Sequence, residues 1–248
     1  MRVALCISGE ARKNIDTLVK NWKECLIDPT KADVFVATPK SRLNGNTSDF
    51  GSLFKALEKY NIIPIDTYVE HDTEITIKHK TFFRDIIAKR GTKIINQLLQ
   101  QCYYVQKANE LRKIYEKNNG FIYDWIIRSR ADIGFIEKIG DLSKYPKTEN
   151  TVFLFDRLVG KSKIDDSFAF GDTKGMNVYS DRIDIFNSSE PLDMPENTFS
   201  TELQLEYILN SFGIDIIKLG RPLFHNSRYI EIVDGKLKMT PNLKRVVI

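Results

Sequence analysis

Cysteine is scarce in this sequence, and its three copies, Cys6, Cys25 and Cys102, lie far apart. No CxxC pair occurs, which argues against both a zinc site and a disulfide framework. The pattern predicts reduced and mostly buried thiols.

Long hydrophobic runs are absent as well. No segment approaches the roughly 18 apolar residues that a membrane-spanning helix needs. The opening run MRVALCISGEAR meets glycine and charge too early for a signal peptide, and it predicts a first β-strand instead. We therefore expect no membrane span and a cytoplasmic location.

An excess of one charge sign is also missing. The chain has 37 basic and 33 acidic residues mixed along its length, for a net charge of +4. Nucleic-acid binding usually needs a concentrated basic face, so we expect no nucleic-acid partner, whereas a pocket for a small anion is compatible with this balance. Neither GxGxxG nor GxxxxGK[ST] occurs, so neither a dinucleotide-binding fold nor a P-loop is indicated.

What the first half does contain is an alternation of strand and helix patterns. Short apolar runs predict strands, and apolar residues at helical spacing predict helices between them. Strands are predicted at 2–8, 32–38 and 64–71, and helices at 14–27 and 50–61. This order is typical of a mostly parallel sheet with helices on both faces, an α/β fold.

The second half continues the same pattern after a long helix at about 92–118. Strands are predicted at 125–127, 151–156, 167–171 and 213–220, and helices at 173–186 and 200–213. Thr173 and either Ser200 or Thr201 are the candidate N-caps, and a hairpin is predicted around Asp234 and Gly235. No repeat or linker interrupts the chain, so residues 1–248 are expected to form one domain.

Polar residues follow the first predicted strand. Ser8 and Gly9 allow close approach of a ligand to the backbone, and Arg12 can hold an anion near the next helix. An ordinary β-to-α turn with solvated charges explains the same residues.

A second polar group closes the run YDWIIRSRAD. Arg128, Arg130 and Asp132 alternate in sequence, so they share one side of an extended segment. Two guanidiniums beside one carboxylate suit a metal-bridged diphosphate, with Asp132 on the ion and the arginines on phosphate oxygens. The alternative is an ion-pair cluster that only stabilises the strand end.

Two carboxylates are candidates for a general base. Asp166 precedes a short apolar strand and can take a proton from a hydroxyl group in a cleft, although a surface turn is the alternative. Glu202 lies in the first turn of a predicted helix, where it either favours the helix dipole or acts as the base.

Three further residues are weaker candidates. His225 follows a late strand, and a metal role is open for it beside the commoner structural role of a lone histidine. Tyr104 and Lys107 belong to the long helix, one polar edge of which is a candidate contact for a nucleotide.

These segments together resemble a family of known enzymes. The order ALCISGEAR, YYVQKANEL, YDWIIRSRADIGF, DDSFAFGD and TELQLEYIL is similar to GT-A-like glycosyltransferases of bacterial surface-polysaccharide clusters and large DNA viruses. The likeness extends from Val3 to about Arg228. Its most specific parts are the R-x-R-x-D strand end and the D-x-F-A-F-G segment.

The resemblance implies a GT-A-like, Rossmann-like fold and a nucleotide-sugar donor whose diphosphate is bridged by Mn²⁺ or Mg²⁺. The family's Asp-x-Asp motif matches Arg130-Ala131-Asp132 here, so only the second carboxylate is present. His225 matches a late histidine that some members add to the metal shell. By the same likeness Ser8, Gly9 and Arg12 line the nucleotide.

By the same resemblance, the expected reaction is transfer of a hexose or deoxyhexose from a nucleotide diphosphate sugar to a glycan hydroxyl. Asp166 and Glu202 compete for the role of the base in a direct displacement, and a retaining outcome stays open. A nucleotidyltransferase or other sugar-nucleotide-processing enzyme is one alternative. A non-catalytic glycan-binding protein of the same fold is the other.

Overall fold

The structure of the protein is a computed structural model. It describes residues 1–11, 14–41, 50–71, 74–78, 83, 92–146, 148–156, 164–189, 192, 200–220, 224–226, 230–233 and 236–239.

A seven-stranded sheet forms the centre of the molecule, and its strand order is β3-β2-β1-β4-β7-β6-β8. All neighbouring strands run parallel except β7, which is antiparallel to both β4 and β6. The strands of the described residues are β1 Val3–Ser8, β2 Asp33–Ser41, β3 Asp66–His71, β4 Trp125–Arg130, β5 Ile133–Phe135, β6 Thr151–Leu154, β7 Phe168–Gly171, β8 Asp215–Lys218, β9 Phe224–Asn226, β10 Ile230–Val233 and β11 Lys236–Met239.

Helices cover both faces of this sheet, as predicted, and the α/β fold class with a mostly parallel sheet is confirmed. The helices described are α1 Ile15–Trp22, α2 Asp28–Thr30, α3 Phe50–Lys59, α4 Thr92–Asn119, α5 Thr173–Ser180, α6 Arg182–Phe186 and α7 Thr201–Ser211. A π-helical segment, Lys23–Ile27, joins α1 to α2.

One face of the sheet packs against α1 and α3. Leu5 and Ile7 of β1 contact the apolar stripe of α1, in which Leu18 and Trp22 are almost completely buried. The Trp22 indole also donates a hydrogen bond of 2.8 Å to the carbonyl of Ile133. This bond satisfies the polar end of the largest side chain in the core and ties α1 to β5.

The opposite face packs against α4, α5 and α7. Because side chains alternate along a strand, Ala4 and Cys6 of β1 point to this face, where they meet Val105 and Ala108 of α4. The Cys6 thiol lies 3.6 Å from the carbonyl of Ala108, so the helix lies close to the strand. All three cysteines are free and buried, as predicted.

The turn from β7 into α5 is held by Asp172. Its Oδ1 accepts hydrogen bonds from the backbone N–H groups of Gly175 at 2.8 Å and Thr151 at 3.2 Å, and its Oδ2 accepts one from Asn150 at 2.7 Å. The N-cap of α5 is therefore Asp172, and the prediction of Thr173 was wrong by one residue. A short carboxylate at this position reaches both the helix N-terminus and strand β6.

Gly171 is the one strand position at this turn where a side chain does not fit. An added Cβ would lie far inside contact distance of the Thr151 carbonyl oxygen and 3.2 Å from the Cα of Val152. We expect Gly171→Ala to lower the free energy of unfolding by about 2 kcal/mol, because backbone on two strands must move. Urea denaturation measures the loss. Gly51→Ala in α3, where an added Cβ meets nothing within 4 Å, is the control that should not destabilise the protein.

The remaining predictions on secondary structure are confirmed with small changes. Ser200 caps α7 by accepting a hydrogen bond from Leu203 at 3.2 Å. The helix predicted at 173–186 is divided at Asp181 into α5 and α6. Strands β10 and β11 pair as the predicted hairpin, and a small sheet of β5 and β9 was not predicted. In the described part of the chain, no helix is long and apolar enough to cross a membrane.

Candidate anion-binding site at the carboxyl edge of the sheet

The ends of β1 and β4 lie side by side at the carboxyl edge of the sheet. Ser8 pairs in register with Arg130, and the N–H of Ala131 donates to the Ser8 carbonyl at 3.0 Å. Ser8 is 2% exposed, and its hydroxyl has no hydrogen-bond partner among the described residues. An unsatisfied buried hydroxyl at this edge is a ready contact for a ligand, because leaving it unpaired costs free energy.

Gly9 begins the turn that follows β1. Its φ of 98° lies in the left-handed region that favours glycine, and its N–H donates to the Ala37 carbonyl at 3.0 Å. The turn therefore begins in contact with β2, beside the last paired residue of β1. Arg12, the cation predicted for this turn, lies outside the described residues.

Arg130 and Asp132 form a bidentate ion pair. Nε and Nη2 of Arg130 donate to the two carboxylate oxygens of Asp132, each at 2.8 Å. Burial alone would lower the pKa of Arg130, but the attraction and hydrogen bonds of Asp132 hold that pKa above its ordinary value. The pair thus keeps both charges at the edge of the sheet, with 23% of the Arg130 side chain and 3% of the Asp132 side chain exposed.

The ion pair between Arg130 and Asp132 occupies the carboxylate that was predicted to bind the metal ion. Both oxygens of Asp132 accept from a guanidinium, so this carboxylate in its present arrangement fits a metal ion poorly. His225 pairs in register with Gly134, two residues beyond Asp132, so its backbone lies beside the same segment. In the described ranges, no group of three or more His, Cys, Asp or Glu side chains is arranged to hold a metal ion.

Arg128 lies one step deeper on the same sheet face. It is 1% exposed, and its Nη1 donates to the carbonyl of Asp166. Its Nε and Nη2 have no partner in the part of the chain that the structure describes. Burying a guanidinium with unused donors costs free energy. These two nitrogens are therefore candidate hydrogen-bond donors to a bound ligand.

Asp166 occupies the loop before β7 and connects several elements. Its Oδ2 accepts a hydrogen bond from Gln101 at 3.0 Å and lies 3.9 Å from Nη1 of Arg182. Its carbonyl accepts from Arg128 and, at 2.8 Å, from the Tyr179 hydroxyl. The carboxylate is therefore buried and held in place by α4 and α6.

Arg182, Gln101 and Tyr179 are residues of this site that sequence reasoning missed. Tyr179 lies between two cations, with its ring centroid 5.9 Å from Cζ of Arg128 and 5.4 Å from Cζ of Arg182. Burial raises the pKa of Tyr179 to about 12 against the opposing effect of these two charges. The hydroxyl therefore remains a donor to Asp166 over the physiological pH range.

Glu202 lies near the same cluster, in the first turn of α7. Burial acts to lower the pKa of Arg182, while Cys102, Tyr179, Asp166 and Glu202 together raise it. Glu202 is thus within electrostatic reach of Arg182. Both predicted base candidates, Asp166 and Glu202, therefore lie near the same guanidinium.

Tyr104 and Lys107 of α4 lie against the end of β3 instead. The Tyr104 hydroxyl donates to the carbonyl of Glu70 at 3.2 Å, and Lys107 pairs with Glu110 at 2.7 Å. Lys107 also lies over the rings of Tyr68 and Tyr103, at 5.6 and 5.3 Å. These contacts thus involve β3 and α4 itself.

Comparison with known proteins places the chain in a family. Residues 1–212 match the family described as a domain of unknown function, DUF7796. The chain belongs to this family. A search of curated proteins found no significant match.

One solved structure with some similarity is that of a glycosyltransferase involved in the glycosylation of the major capsid of PBCV-1. It is 15% identical, with a TM-score of 0.40, over 89% of this chain and 82% of that one.

Proposed function

We propose that this protein is a glycosyltransferase that moves a hexose or deoxyhexose from a nucleotide diphosphate sugar to a hydroxyl group of a glycan. The observation that carries the proposal is the side-by-side arrangement of Ser8 and Arg130 on adjacent parallel strands, with Arg128 behind them. Ligands of open α/β sheets bind at this carboxyl edge. The sequence motifs that resemble GT-A-like enzymes end at these same residues.

The donor diphosphate is assigned to Ser8, Arg128 and Arg130. Guanidinium groups bind phosphate oxygens through paired, charge-assisted hydrogen bonds, and Arg128 has two nitrogens without a partner among the described residues. As the bond between the sugar and the diphosphate breaks, negative charge grows on the departing phosphate. Fixed cations next to it stabilise that charge without reorganising.

The acceptor hydroxyl loses its proton to a carboxylate in this mechanism. Asp166 and Glu202 are the candidates, and both lie near Arg182. In a direct displacement, one base takes the proton while the hydroxyl oxygen attacks the anomeric carbon.

A Mn²⁺ or Mg²⁺ ion is part of the family resemblance, and its binding would require Asp132 to exchange Arg130 for the ion. When bound, the ion would supply additional positive charge to the diphosphate. A comparison of binding with Mn²⁺ and with EDTA separates this contribution from that of the arginines.

Nucleoside diphosphates are expected to stabilise the protein against heat. Saturation to about 100 times Kd adds about 2.7 kcal/mol, which corresponds to a rise in Tm of roughly 5–10 °C for a chain of this size. Differential scanning fluorimetry with a panel of nucleoside diphosphates, with Mn²⁺ or EDTA, measures the shift. The matching nucleosides without phosphate are the control and should give almost none. If no nucleoside diphosphate raises Tm, the proposed donor site is wrong.

A further inference from the structure

We propose that Arg128 and Arg182 form a buried binding site for one oxyanion, a phosphate or carboxylate group of a substrate. Arg182 is not among the residues that contact the donor in the proposed function. The inference rests on that function in sharing Arg128 with the donor site and in taking the anion to belong to a substrate.

The two guanidiniums converge on one small region of the interior. Both lie near the Tyr179 ring, at 5.9 and 5.4 Å from its centroid, and each has an Nη1 near a different part of Asp166. Arg128 is 1% exposed and Arg182 is 2% exposed. They come from β4 and α6, so the fold brings two buried cations together from distant parts of the chain.

The hydrogen-bonding capacity of these two cations is largely unused. Nε and Nη2 of both arginines have no partner within the described residues, which leaves four buried nitrogen donors. Native proteins rarely leave such donors unpaired, because each costs free energy without a partner. An oxyanion has the acceptor oxygens that this arrangement lacks.

Among the described residues, the carboxylates Asp166 and Glu202 lie near Arg182, whereas no carboxylate is hydrogen-bonded to Arg128. Asp132 is paired with Arg130, so it is committed to a third guanidinium. Asp166 is the carboxylate that faces Arg182, at 3.9 Å, and it already accepts a hydrogen bond from Gln101. Among the described residues, Arg128 donates a hydrogen bond only to the carbonyl oxygen of Asp166. An anion would place negative charge and acceptor oxygens beside Arg128, whose unused donors are otherwise buried at a high cost.

Another buried arginine shows what a purely structural one looks like in this protein. Arg112 is 0% exposed, and all three of its nitrogens donate: Nε to Asn109 at 3.0 Å, Nη1 to Glu116 at 2.5 Å and Nη2 to Asn177 at 2.5 Å. Its salt bridge with Glu116 balances its charge. Arg112 is therefore a matched control for Arg128 and Arg182.

The side chains nearest to the surface beside this cluster belong to Gln101 and Arg130. Gln101 and Arg130 both contribute partly exposed side chains next to Asp166. A phosphate of the donor or a carboxylate of an acidic sugar has the chemistry to enter from this side. The experiment below distinguishes a donor phosphate from a sugar carboxylate by using separate probes for each.

The test compares inorganic phosphate, pyrophosphate, glucuronate and a nucleoside diphosphate as probes of the full chain by thermal shift and calorimetry. Phosphate is expected to raise Tm of the wild type. Arg182→Gln should weaken phosphate binding by about tenfold or more through loss of charge-assisted hydrogen bonds. Arg182→Lys keeps the positive charge but loses the paired donors of the guanidinium. Its affinity for phosphate should therefore lie between those of the wild type and Arg182→Gln.

The ligand-free proteins give a second readout. Arg182→Gln should lower Tm of the ligand-free protein less than Arg112→Gln does, because Arg182 lies 3.9 Å from Asp166 and has two nitrogens without a partner among the described residues, whereas all three nitrogens of Arg112 are hydrogen-bonded. Arg112→Gln should lower Tm and keep the phosphate-induced shift. If Arg112→Gln does not fold, Lys113→Gln, which breaks the Lys113–Asp181 pair at 2.6 Å, replaces it as the control.

Each outcome decides the proposal. Glucuronate binding that depends on Arg182 assigns the oxyanion to an acidic sugar, and pyrophosphate binding with the same dependence assigns it to the donor. The proposal is wrong if Arg182→Gln binds every probe as the wild type does, if no oxyanion binds, or if Arg182→Gln lowers Tm of the ligand-free protein as much as Arg112→Gln. If a nucleoside diphosphate and every other probe bind equally to wild type and Arg182→Gln, the proposed function stands and only this site is removed.

Discussion

Replacing Arg130 with glutamine is expected to lower the free energy of unfolding by about 3 kcal/mol. The substitution removes two charge-assisted hydrogen bonds of 2.8 Å from Asp132, whose side chain is 3% exposed. A buried carboxylate that loses its cation retains the cost of leaving water, and breaking such a pair typically costs about 3–5 kcal/mol. The lower end applies because 23% of the Arg130 side chain is exposed.

Urea denaturation of a double-mutant cycle measures this effect. Asp132→Asn combined with Arg130→Gln should be less destabilised than the sum of the two single variants, because the double variant leaves no charge unpaired. Lys59→Gln breaks an exposed pair with Asp16 and should leave the unfolding midpoint almost unchanged. An Arg130→Gln variant no less stable than this control would contradict the buried ion pair.

Much of the fold was predictable because its signals are local. The run at β1 is apolar up to Ser8 and buried throughout, which is typical of a parallel strand covered on both faces, and the run around α1 has the helical spacing that buries Leu18 and Trp22. The direction of β7 was not predictable. Its FAFG run is as apolar as a parallel strand, and its antiparallel pairing with β4 and β6 depends on how the chain returns to the sheet.

The candidate site also contains residues that the sequence predicts and residues that it does not. The alternation of Arg128, Arg130 and Asp132 predicts a shared side, and the register of β4 with β1 then brings Ser8 to Arg130. Arg182 gave no such signal, since it belongs to a run that is amphipathic as a whole. Only the packing of α6 against α4 brings its guanidinium to Asp166, and long-range packing of that kind leaves no trace in residue spacing.

Asp166→Asn is expected to reduce the rate of sugar transfer by about a hundredfold to ten-thousandfold, the usual contribution of a general base. Asp166 is the stronger of the two candidates because its carboxylate is oriented. Gln101 donates to its Oδ2 at 3.0 Å, and Arg182 lies 3.9 Å from the same oxygen. Glu202 lies in the first turn of α7, where the helix dipole already accounts for an acidic residue.

Steady-state kinetics and calorimetry on Asp166→Asn and Glu202→Gln distinguish the base from its neighbour. The base should lose kcat while the affinity for nucleoside diphosphate stays within a few fold of wild type, because a base acts on the acceptor and not on the donor. Glu202→Gln should change both quantities little and serves as the matched carboxylate control. If Glu202→Gln loses kcat and Asp166→Asn does not, the roles are reversed, and Asp166 then serves to anchor Gln101 and Arg182 at the end of β4.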